Sequence, residues 1–158
     1  MKVAFDSPAK DRWFEDYHEG DSYLFGPIEV TEEEVISFAR RYDPQPMHVD
    51  PAAADEGPYG GVIASGWLTI SLMMRMLVDN YVSACAALAS PGFDEVRWLA
   101  PVRPGDSLHM RVTIKSARLS RSKPDRGVVA SLMEAINQQG EVVARCTGIG
   151  MMLCRSDI

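Results

Sequence analysis

Cysteine is scarce in this 158-residue sequence, with only Cys85, Cys146 and Cys154. An odd number cannot pair completely, and no C-x-x-C spacing occurs. This excludes a disulfide framework and points to a reducing compartment with buried thiols. Long apolar runs are missing as well. The most apolar stretch, Ile63 to Val82, is broken by Arg75, Asp79 and Asn80, and reads as a buried helix rather than a bilayer span. The first twenty residues hold Lys2, Asp6, Lys10, Asp11, Arg12, Glu15 and Asp16, which leaves no apolar core for an export signal. Repeats, low-complexity tracts and linkers are absent too. The expectation is one soluble, cytoplasmic domain over residues 1–158. Positive charge is outnumbered, with 16 Lys+Arg against 22 Asp+Glu and a net charge of −6. Such a chain makes a poor general binder of nucleic acid or anionic membrane.

What is present is ordinary globular material, 46% hydrophobic and 24% charged. A chain of this length buries roughly 70% of its unfolded surface without staples. The charge is unevenly spread. Residues 1–95 carry 6 basic and 17 acidic side chains, while residues 96–126 carry 8 basic against 2 acidic. That second stretch is either an anion-docking surface or a solvated run of strands and loops.

Residues 12–30 read as an extended entry segment with turns at Gly20-Asp21 and Gly26-Pro27. Thr31-Glu32-Glu33-Glu34 has the form of a capping box, with Thr31 as N-cap. Val35, Phe38, Ala39 and Tyr42 then follow helical spacing. The helix must stop near Tyr42, because Asp43 precedes Pro44 and is pushed out of the α region. Residues 43–61, rich in proline and glycine, read as a loop. The next helix, from Ser65-Gly66 to Tyr81, is apolar nearly all round and is expected to be buried on every side. Leu108, Met110, Val112 and Ile114 alternate with His109, Arg111, Thr113 and Lys115, the period of a half-exposed antiparallel strand. A polar hairpin over 120–127, a strand over 128–136, a turn at Gln138-Gln139-Gly140 and a strand over 142–153 complete a meander. The fold class is α+β, an antiparallel sheet around one central helix.

The loop holds Asp43, Gln45, His48 and Asp50 within eight residues, stiffened by Pro44 and Pro46. A carboxylate beside an imidazole is a proton-handling pair able to hold one water. Gly66 at a helix start presents an unhindered backbone N–H at the positive end of the helix dipole, a natural oxyanion donor.

This arrangement resembles the MaoC-like dehydratases, hotdog-fold relatives of (R)-specific enoyl-CoA hydratases. The string Tyr42-Asp43-Pro44-Gln45-Pro46-Met47-His48 matches the family's Asp-x-Asn-Pro-x-His. Residues Gly60 to Trp67 are similar to its entry into the central helix. Val96-Arg97-Trp98 and Pro101-Val102-Arg103-Pro104-Gly105-Asp106 are similar to its later strand and turn, and Phe14 to Tyr17 to its N-terminal strand. The resemblance implies a hotdog fold, Asp43 and His48 as the catalytic pair, and Gly66 with the neighbouring Ser65 and Gln45 at the thioester. It implies an acyl-CoA substrate, water added or removed at the α,β double bond, no metal or redox cofactor, and a homodimer. The motif's Asn is Gln45 here, which moves the amide by one methylene. Arg97 and Arg103, in the basic stretch, are the candidate ligands for the coenzyme A phosphates.

Three other readings compete. A hotdog thioesterase would aim water at the thioester carbon instead. A non-catalytic acyl-CoA-binding protein would keep the fold alone. A two-His, one-carboxylate iron site from His48, Asp50 and His109 does not suit the intervening buried helix. No role is assigned to His18, Asp50 or Trp98 beyond turn, solvent and core duties.

Overall fold

Thr31 starts the first long helix as expected: its side chain accepts the Glu34 N–H at 3.2 Å, and α1 runs Glu32–Tyr42. The computed structural model describes residues 4–155. Its strand β1, Ser22–Glu29, precedes α1, and two short helices follow, α2 Pro46–Val49 and α3 Pro51–Glu56. Helix α4, Gly66–Asn80, leads to β2 Ala87–Trp98, β3 Ser107–Leu119, β4 Arg126–Ile136 and β5 Val142–Leu153. The strands form one antiparallel sheet in the order β1-β3-β4-β5-β2. It curls around α4, which is the hotdog architecture.

The core lies between α4 and the sheet's inner face. Leu108, Met110, Val112 and Ile114 meet it at 1% exposure or less, so the alternation read from the sequence points the right way. Arg12 closes the far end. Its buried guanidinium donates to the carbonyls of Asn80 and Tyr81, each at 2.9 Å, and so caps the C-terminal turn of α4. Tyr17 donates to the Tyr81 carbonyl at 2.7 Å.

Five expectations need correction. Phe14–Asp16 is a 3₁₀ turn, not a strand, because the Asp16 carboxylate accepts the Trp13 N–H at 2.8 Å and closes the chain on itself. Residues 43–61 are not all loop: Pro46 and Pro51 occupy first-turn positions, where a missing N–H costs nothing, and seed α2 and α3. Helix α4 is not buried all round, since Trp67, Ser71, Met74, Arg75 and Val78 form an exposed stripe. Strand β2 was legible only at its end, as Val96-Arg97-Trp98. Of the three thiols, Cys146 is buried, Cys154 half-buried and Cys85 exposed, because Cys85 sits in the turn between α4 and β2.

Candidate active site

Asp43 ends α1 in a conformation outside both the helical and strand regions, with φ −151° and ψ 65°, as the following proline demands. That turn sends the chain into α2, whose second half carries the buried His48. Residues 63–65 return past the same point, held by the Ile63 N–H on the Met47 carbonyl at 3.1 Å and the Ala64 N–H on the Val102 carbonyl at 2.7 Å. Three segments therefore meet where α1 stops, α2 passes and α4 begins.

Asp43 is the hub. Gln45 Nε2 donates to its Oδ1 at 2.7 Å, and Ser65 Oγ donates to its Oδ2 at 2.7 Å. The extra methylene of Gln45 therefore still leaves the amide on the carboxylate. The Gln45 bond first, then the Ser65 bond, holds the Asp43 carboxyl below its ordinary range; burial opposes this and His48 adds to it. His48 Nε2 stands 3.4 Å from Asp43 Oδ2, while Nδ1 lies 2.7 Å from the Ile63 carbonyl oxygen. A carbonyl only accepts, so in the neutral ring Nδ1 bears the proton and Nε2 turns its lone pair toward the carboxylate.

These groups open on a cavity of about 480 Å³ that also receives Gly66, Trp67 and Trp98. The Gly66 N–H has no hydrogen-bond partner among the described residues, as the first turn of a helix dictates. Glycine is required there: a Cβ would run into the indole of Trp98. Trp67 and Trp98 meet edge to face at the mouth, with centroids 5.4 Å apart. A second cavity, about 150 Å³ and apolar, lies along the C-terminal half of α4 between Leu77, Phe93, Met133 and Gly148.

The structure thus brings Asp43, Gln45, His48 and Gly66 to one cavity. Ser65 is fully buried and faces Asp43 and the Trp67 N–H rather than the cavity. Arg103 donates to the Tyr59 carbonyl at 2.6 Å and so clips the rim; Arg97 lies on the sheet's outer face opposite Arg145. The basic stretch is not one patch. It runs the length of β3, a strand of 13 residues and thus roughly 40 Å of chain. Along it, Arg111 is paired with Glu134 at 2.8 Å and Arg126 with Asp125 at 2.7 Å. Asp50 caps α3, and His109 sits outside the sheet opposite Ile136, so neither joins His48. Trp98 is the residue at the cavity that sequence reasoning left without a function; its place in Val96-Arg97-Trp98, just before the PVRPGD turn, was the available signal.

The family model described as MaoC like domain matches residues 16–138. This chain belongs to the MaoC-like dehydratase family. Its fold closely follows that of a MaoC-like dehydratase from Rhodospirillum rubrum, with a TM-score of 0.85 and 35% identity over 92% of this chain and 99% of the other. In sequence this MaoC-like protein is similar to 3-hydroxyacyl-thioester dehydratase Z of Mycobacterium tuberculosis, 33% identical over 75% of this chain and 78% of the relative. The unliganded R-hydratase PhaJ1 of Pseudomonas aeruginosa shares the fold at a TM-score of 0.71, covering 91% of this chain and 86% of that one, at 21% identity.

Proposed function

We propose that this MaoC-like protein is a hydro-lyase that adds water across the α,β double bond of an enoyl-CoA, or removes it from a 3-hydroxyacyl-CoA. The observation that carries this reading is His48 Nε2, 3.4 Å from Asp43 Oδ2, in one cavity with the Gly66 backbone N–H. Asp43 orients a water and stays a carboxylate. His48 takes one proton from that water as its oxygen bonds the β carbon. The electrons move onto the thioester oxygen, where the Gly66 N–H receives the charge. The imidazolium, steadied by Asp43, then returns the proton to the α carbon. Neither redox change nor metal enters this balance.

The acyl tail runs along the seam between α4 and β2 toward the apolar cavity near Leu77, roughly 16 Å of helix from Gly66. Arg97, near the end of β2, and Arg103, just before β3, supply cations for the coenzyme A phosphates. Among the described residues no strand pairs with the outer edge of β2, and the α4 stripe is exposed. A second copy covering both gives the homodimer.

Incubation with crotonyl-CoA tests the reaction. Loss of the conjugated enoyl absorbance without release of free thiol supports a hydratase. Thiol release with the enoyl group intact supports the thioesterase, and no turnover over a broad enoyl-CoA panel leaves an acyl-CoA-binding protein.

A further inference from the structure

The oxyanion site described so far has one donor, the Gly66 N–H. A thioester oxygen that gains charge has room for two. The side chain nearest Gly66 is Trp98, and its position has a local cause. Between Asp94 and Arg97, β2 spans three steps while β5 spans two, Thr147 to Arg145. The extra residue is a bulge, and Glu95 within it takes φ 53°, the left-handed region. Without it, alternation from the outward Asp94 would put Trp98 on the outer face as well. With it, Trp98 stands opposite Ala144, which is fully buried, and turns inward onto α4.

There the pyrrole edge of the indole fills the place a Cβ on Gly66 would take, with Nε1 the atom nearest to it. The indole nitrogen is a donor only. Trp13 spends its own on Asp11, whereas Trp98 Nε1 has no acceptor among the described residues. Trp98 is 46% exposed, and the space it faces is the cavity of Asp43 and His48.

We infer that Trp98 is a catalytic residue: its Nε1–H is the second donor to the thioester oxygen, beside the Gly66 N–H. The inference rests on the hydratase reading. The indole keeps its proton throughout and contributes a hydrogen bond that tightens as charge reaches the oxygen. The absence of a side chain at position 66 is what allows the two donors to lie so close.

Trp98→Phe keeps a flat ring over Gly66 and deletes the N–H. With crotonyl-CoA, kcat should fall about 10²-fold, the usual loss for one oxyanion donor, with KM little changed. A second measurement needs no variant at this position. The indole N–H resonances of Trp13, Trp67 and Trp98 are followed on adding the unreactive butyryl-CoA, with assignment by Trp13→Phe and Trp67→Phe. The Trp98 signal should move downfield as it donates to the carbonyl. An active wild type with an equally active Trp98→Phe, or an unmoved Trp98 signal in the butyryl-CoA complex, overturns the assignment and leaves the hydratase reading intact. A wild type that hydrates no enoyl-CoA overturns both.

Discussion

His48 sits on a helix of four residues, and its usefulness depends on where its two nitrogens are sent. Because the Ile63 carbonyl takes Nδ1, Nε2 is left for chemistry. His48→Gln should lower kcat for crotonyl-CoA by about 10²–10⁴-fold in a folded protein, the range for losing a general base. Ser65 acts one layer behind. It donates to Asp43 and accepts the Trp67 N–H, so Ser65→Ala should cost about 1 kcal/mol in urea denaturation, as for a lost N-cap. Asp43 makes a pH prediction with a definite sign. Its folded pKa lies below the unfolded one, so its contribution to stability is complete above the ordinary carboxylate range near 4. That contribution is lost as pH falls through the folded value. The stability difference between wild type and Asp43→Asn should therefore be flat above about pH 5 and shrink below about pH 4. At this scale the sequence was informative. The DPQPMH string showed the carboxylate, the imidazole and the amide, because their spacing is local. It did not show Trp98, because a bulge reverses the face that simple alternation assigns.

Among the elements, α4 begins with a residue that helix propensity disfavours. Alanine at a helical position usually gains up to about 1 kcal/mol over glycine. Here the close approach of Trp98 decides the matter the other way, because an indole cannot yield as a flexible side-chain tip does. Gly66→Ala should lower the melting temperature, and pairing it with Trp98→Ala should recover much of that loss in a double-mutant cycle. The elements legible in the sequence were α1, α4 and the meander β3, β4 and β5, whose apolar pattern and bounding turns are local. Strand β2 escaped because Ser90-Pro91-Gly92 and two register shifts interrupt its period, and because as an edge it is exposed on both faces. Helices α2 and α3 escaped because Pro46 and Pro51, which read as loop residues, stand at first-turn positions.

For the whole molecule, the exposed stripe of α4 adjoins β2, whose outer edge pairs with no strand among the described residues: Trp67 meets Trp98, and Met74 shares a cavity with Phe93. Sedimentation equilibrium should give twice the chain mass, and a proline placed at Val96 should shift the protein toward monomer and reduce activity with it. The order of strands in the sheet also sets a timetable for synthesis. Ser22 of β1 meets Thr113 of β3, 91 positions along the chain, and Arg12 meets Asn80 across 68. At about 5–20 residues per second, β1 leaves the ribosome roughly 5–18 s before its partner exists. During that interval its alternate apolar residues Tyr23 and Phe25 have no sheet to join. A nascent chain of this protein should therefore need a holding chaperone most while the α4 region is being made, and much less once β3 has emerged.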